Sequence, residues 1–164
     1  MNLEVQNVLV RKSLVIDAPP QHVFATFTQH IDAWWPRKNH IGRDEKFQAT
    51  LEPHVGGRWY ERGESGAECD WGRVLVWEPP QRLVLSWSIN AQWQFDPAFL
   101  TEVEVLFVAE APERTRVELE HRKLERYGDQ AQMMRAIFDS PEGWMGALQA
   151  LQHVALQSST RTAK

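Results

Sequence analysis

Trp71-Gly72-Arg73-Val74-Leu75-Val76-Trp77-Glu78-Pro79-Pro80-Gln81-Arg82-Leu83-Val84-Leu85-Ser86-Trp87 is the stretch on which the fold turns. Two runs rich in β-branched and aromatic residues flank a proline pair, and proline fixes φ while removing a backbone donor. The reading is a hairpin: strands over 71–77 and 83–89, joined across 78–81. On the second strand Leu83, Leu85, Trp87 and Ile89 share one face. The first strand leaves two phases open. Either Trp71, Leu75 and Trp77 face inward with Arg73, which would bury a cation needing a partner, or Val74 and Val76 do; the second costs less.

Working outward, further strands follow. Phe47, Ala49 and Leu51 alternate with polar neighbours, and Gly56-Gly57 suits a turn or bulge before Arg58–Arg62, whose Arg58, Tyr60, Arg62 face reads as solvent. Val103, Val105 and Phe107 oppose Glu102 and Glu104. Thr115, Val117, Leu119 and His121 oppose Arg114, Arg116, Glu118, Glu120 and Arg122, with Ala111-Pro112-Glu113 as the turn between the two strands. On the N-terminal side, residues 5–16 read as a strand. Asp17 and two prolines then start a short helix over 20–30, and a second helical turn over 31–35 stops at Pro36. On the C-terminal side, a short helix is expected over 129–138. Ser140 is expected to cap a long helix with Pro141 in its first turn, and Trp144, Leu148, Leu151 and Ala155 form its apolar stripe. Strands joined by short turns imply an antiparallel sheet with one wet face, whose other face the terminal helix must cover. The expectation is an α+β domain over residues 1–157 and a polar, disordered tail over 158–164.

Composition narrows the function. A net charge of −4 and the lack of clustered Lys and Arg argue against nucleic acid or an anionic membrane as partner. Cys69 stands alone, so neither an internal disulfide nor a metal finger is expected. His22, His30, His40, His54, His121 and His153 show no ligand spacing, so no metal or other cofactor is expected. No secretory leader is read at the N-terminus and no apolar run approaches ~20 residues, so the expected location is the cytoplasm. Gly63-Glu64-Ser65-Gly66-Ala67 lacks the last glycine of a nucleophile elbow, and no glycine-rich phosphate loop is present. The unusual feature is eight tryptophans against two tyrosines, pointing to a heavy core or an aromatic-lined pocket.

Gly56-Gly57-Arg58-Trp59, the 71–87 stretch, Thr115 to His121 and Gly143-Trp144 with Leu148 and Leu151 together resemble one branch of the START-like (SRPBCC) superfamily. That branch is named for the activator of heat-shock protein 90 ATPase and has stand-alone bacterial members; the likeness spans about Val10 to Ala155. It implies a helix-grip fold, a curved sheet wrapped on a long C-terminal helix, with a cavity between them. Its members include lipid carriers, receptors, polyketide cyclases and co-chaperones, so fold does not choose the function. Three readings stand: a binding module for a small hydrophobic or aromatic molecule, a cyclase-like or hydrolase-like enzyme, and a chaperone-associated protein; pairing as a homodimer is left open. The leading reading is the first, with no evident catalytic set.

The expected ligand-binding residues are Trp34 and Trp35 as a gate, and Trp87, Val105, Val117, His121, Trp144 and Leu148 as lining. His121 is the best acid/base candidate, although a lone histidine at a strand end is more often scaffold. Tyr60 and Arg73 are the other polar candidates. Trp93 and Phe95, on a polar loop, are candidates for a lid.

Overall fold

The computed structural model describes residues 7–162. Seven antiparallel strands lie in the order β1-β7-β6-β5-β4-β3-β2: β1 Val10–Ile16, β2 Phe47–Leu51, β3 Arg58–Gly63, β4 Glu68–Glu78, β5 Arg82–Trp87, β6 Thr101–Ala111 and β7 Arg114–Arg122. Helices α1 (Pro20–Thr28) and α2 (Ile31–Trp34) follow β1. After β7 come a 3-10 segment, Leu124–Gln130, then α3 (Ala131–Asp139) and α4 (Trp144–Thr162). This is the expected helix-grip α+β architecture. Val5 and Gln6, at the start of the expected first strand, lie outside the described residues. The expected tail is corrected in part: residues 158–162 continue α4, and 163–164 lie outside the described residues.

The alternating sequence sets each strand's inner face. Val103, Val105 and Phe107 pair with His121, Leu119 and Val117 across the β6–β7 ladder, and all six are buried. On the other face Arg122 bridges Glu102, Glu104 and Glu120, while Arg82 reaches Glu104. These half-exposed pairs lie on the solvated face and contribute modestly.

Irregularities decide which side chains reach the interior. The β4–β5 register shifts between Val74 and Val76, so the inward phase changes there. Trp71 and Val74 are buried, Arg73 and Leu75 are exposed, and Trp77 comes back inward to meet Phe24 edge-on at 5.2 Å. Arg73 is therefore a surface residue, as the cheaper phase required. A second shift, between Trp59 and Tyr60, sets Trp59 opposite Gly72, and the Trp59 indole N–H donates to the Ser86 carbonyl at 2.8 Å. A Cβ on Gly72 would strike that carbonyl and lie 2.6 Å from Trp59 Nε1. Gly72→Ala is expected to cost roughly 2–3 kcal/mol by overpacking, read as a lowered denaturation midpoint; an unchanged midpoint would contradict this packing.

The terminal helix is not the only cover. Its stripe of Trp144, Leu148, Leu151 and Ala155 is buried, yet among the strands it packs chiefly on β1, with α1 and α2 beside it. Over β6 the cover is α1, whose Phe24 and Phe27 meet Phe107 at 5.1 and 5.8 Å. Ser140 does not cap α4: its hydroxyl donates back to the Ile137 carbonyl at 2.7 Å, and the helix begins at Trp144.

Candidate functional site

The space beneath the middle of α4 is filled, and the opening lies beyond the helix's N-terminal end. Val105, Val117 and Leu148, expected as lining, have no exposed surface and pack in the core. Trp34, expected at the gate, is buried, and its indole N–H is shared between the Thr26 and Phe27 carbonyls at 3.1 and 3.2 Å. None of these four reaches the cavity. Helix α1 brings two phenylalanines onto the centre of the sheet, a role the sequence reading assigned to α4 alone.

The cavity measures about 410 Å³, within the roughly 300–1,000 Å³ of small-molecule sites. Trp35, Trp71, Trp87 and Trp144 wall its inner side, Trp93 stands at the loop side, and Ile137 and Phe138 come from α3. Five of the chain's eight tryptophans therefore line one space. Their rings brace one another: Trp35 lies 5.0 Å from Trp71 and 6.0 Å from Trp144, and Trp87 lies 5.7 Å from Trp144. Edge-to-face and offset packing at these separations is favourable beyond the area it buries. The rim is polar, carrying Lys38, Asn39, His40, Ser140 and Glu142.

Hydrogen bonds fix the walls. Trp35 donates to the Asn39 carbonyl at 2.6 Å, Trp71 to Glu61 Oε1 at 2.9 Å and Trp144 to His121 Nδ1 at 3.0 Å. Trp93 sits in the left-handed backbone region (φ 60°), uncommon for an aromatic residue. Its turn is tied by Asn90 Oδ1, which accepts the Gln92 and Gln94 N–H groups at 3.0 Å each. Phe95 is exposed and takes no part in the lining.

His121 is scaffold. It is fully buried, and burial pushes its pKa down to about 3, so the ring is neutral. Since Nδ1 accepts from Trp144, the proton sits on Nε2 and is donated to Thr101 Oγ1 at 2.8 Å; that hydroxyl continues to the Trp87 carbonyl at 3.3 Å. With both nitrogens occupied inside the protein, His121 has no lone pair to offer a guest. It positions Trp144 and does not line the cavity. Tyr60 lies on the outer face with the Arg58 guanidinium 3.8 Å over its ring. Burial, with the charge of Glu61 next, pushes the Cys69 thiol up, away from reactivity.

Two residues absent from the expected site matter here, Glu61 buried behind the rim and His40 on it. Glu61, only 1% exposed, accepts the Ile41 N–H (2.7 Å) and Trp71 Nε1–H on Oε1, and the Gly42 N–H (3.0 Å) on Oε2. Gly42 has to be glycine for this approach, because a Cβ there would lie 2.5 Å from Oε2. Beside them His40 lines the cavity with its Nδ1 3.4 Å from Glu61 Oε2. The strand pattern carried a signal for Glu61: if Arg58, Tyr60 and Arg62 face solvent, Glu61 shares the inner face with Trp59. Among the described residues no group of three or more His, Cys, Asp or Glu side chains is placed to hold a metal, and no helix is long and apolar enough to cross a membrane.

A long C-terminal helix gripped by a curved antiparallel sheet, with an aromatic cavity at one end, defines a helix-grip protein of the START-like class. Residues 17–155 match the family model described as activator of Hsp90 ATPase homolog 1-like protein, and the chain belongs to that family. Among solved structures it is similar to an anthrahydroquino-γ-pyrone synthase, Txn09, complexed with SUM, at 39% identity (94% of this chain, 99% of that one, TM-score 0.64). It is also similar to the self-sacrificing resistance protein CalC from Micromonospora echinospora, at 30% identity (92% and 95%, TM-score 0.66). An Hsp90 activator from Plasmodium falciparum shares the fold at 19% identity (70% and 71%, TM-score 0.50). No curated protein matches the sequence.

Proposed function

We propose that this protein binds a planar aromatic molecule in the tryptophan-walled cavity between α2, the β4–β5 end of the sheet and the start of α4. The observation that carries this reading is the gathering of Trp35, Trp71, Trp87, Trp93 and Trp144 around one opening. Trp35, Trp71 and Trp144 are held by indole hydrogen bonds and Trp87 by its ring neighbours, so these walls lose little freedom when a flat guest slides between them, and stacking contributes to affinity rather than to ordering the site. The polar rim would then orient the guest's oxygens.

Five tryptophans at the site make binding visible. Titration with a dihydroxyanthraquinone is expected to quench the intrinsic fluorescence in a saturable way. Trp35→Ala, which removes one wall, is expected to weaken binding about tenfold, the equivalent of ~1.4 kcal/mol. Failure of planar polyphenols as a class to quench would overturn the reading. The likeness to a synthase at 39% identity favours a second possibility, that the guest is converted as well as held; turnover of a bound phenolic substrate, followed by product analysis, separates the two.

A further inference from the structure

Among the polar side chains on the cavity rim, His40 alone is set against a buried carboxylate. Its ring stacks on Phe47 at 4.8 Å between centroids and 27° between planes, which fixes the ring plane. Nδ1 is buried and has no hydrogen-bond partner in good geometry; its nearest acceptor is Glu61 Oε2 at 3.4 Å. Glu61 is itself immobilised by the Ile41 and Gly42 N–H groups and the Trp71 indole, and all of its neighbours are donors. A nitrogen facing such an oxygen carries the proton, which leaves the lone pair on Nε2. The side chain is 18% exposed, and Nε2 is the nitrogen left to meet a guest. Such pairs are often long before a ligand arrives and tighten when charge develops.

We propose that His40, positioned by Glu61, accepts the hydroxyl proton of a phenolic guest. This deepens the binding reading and rests on it, narrowing the guest from a planar aromatic to a hydroxylated one. In the step the phenol O–H bond breaks, an Nε2–H bond forms, and the guest is left as a phenolate. The new imidazolium keeps its Nδ1–H toward Glu61, whose carboxylate balances the charge. Lys38 and Glu142 are the other charged side chains on the rim. A phenolate is the activated nucleophile that ring-forming or group-accepting chemistry at oxygen requires. Glu61 touches no guest and is a positioning residue.

The test uses a dihydroxyanthraquinone whose neutral and ionised forms absorb at different visible wavelengths, at a pH where the free dye is neutral. The full chain is expected to quench on binding and to turn the bound dye to its phenolate spectrum. His40→Gln and His40→Phe, the latter keeping the stack on Phe47, are expected to leave the dye neutral when compared at protein concentrations where quenching has saturated, whatever their affinity. That is a fall of at least about tenfold in ionised fraction, or one pKa unit. Glu61→Gln is expected to lower the ionised fraction in the same direction, compared at a temperature where it is fully folded. The O-methylated dye, with no proton to give, is expected to quench without a colour change. An undiminished phenolate spectrum in both His40 variants would overturn the proposal while leaving the binding reading intact. No quenching of the parent protein by this dye or by any other planar polyphenol would overturn both.

Discussion

Glu61→Ala is expected to lower the melting temperature by roughly 10 °C, more than truncation of any polar side chain on the cavity rim. The carboxylate is buried and satisfies three donors that have no other acceptor: the Ile41 and Gly42 N–H groups and the Trp71 indole N–H. Each donor left unsatisfied costs about 1–3 kcal/mol, less where water can enter the gap, so a total on the order of 3–4 kcal/mol is expected. In a domain of this size 1 kcal/mol moves the midpoint by about 2–4 °C. Beyond stability, the segment 39–42 that carries His40 is held to the sheet by these bonds, so the variant should also lose guest binding. Glu61→Gln separates the two consequences, because it keeps one acceptor oxygen for Ile41 and Trp71 and fails only Gly42. Its loss is expected to be about a third of that of Glu61→Ala. A Glu61→Ala protein that melts within a degree or two of the parent would show that the carboxylate is dispensable, and the rim would have to be held by something else.

The same pair of residues marks the limit of what the sequence displayed. Period-two alternation made Val103 to Phe107 and Thr115 to His121 legible as half-buried strands, because one face of an antiparallel sheet is wet. The stripe of α4 was legible for the same reason at helical spacing. The position of the cavity was not. Covering a sheet is a three-dimensional matter, and nothing in the local pattern of Val23, Phe24 and Phe27 says that α1 fills the centre while α4 lies nearer β1. Val105, Val117 and Leu148 therefore went from expected lining to core, whereas Trp35, Trp87 and Trp144 kept a place on the cavity wall. His40 was hidden for a different reason: it lies in an irregular segment with no periodicity, and its partner is 21 residues away on another strand. Irregular segments carry no face assignment, and these are where site residues tend to sit.

His121 turns its burial into a pH signature. Its pKa is near 3 in the folded chain against 6.5 when unfolded, and desolvation is the cause. Between those values the unfolded chain binds a proton that the folded one refuses. The stabilisation is therefore complete above about pH 6.5 and is lost as pH falls toward 3. Measured from the plateau above neutral pH, the loss by pH 5 should be roughly 2 kcal/mol. Other shifted acids act lower. Asp139 is held down by its hydrogen bond from Lys12, and in Glu102 the upward push of burial is outweighed by Lys123 and Arg122. Carboxylates of that kind lose their contribution only as pH falls below the ordinary acid range, so the window above pH 5 keeps them out of the comparison. His121→Gln offers an acceptor to Trp144 and a donor to Thr101 without a titrating ring, and its denaturation free energy should fall by roughly 2 kcal/mol less than the parent's across that window. The expected result is a parent and a variant whose stabilities converge, or cross, as the solution is acidified. Parallel curves would mean that the ring is protonated inside the fold, which the indole N–H aimed at Nδ1 forbids, since a protonated Nδ1 would set one donor against another.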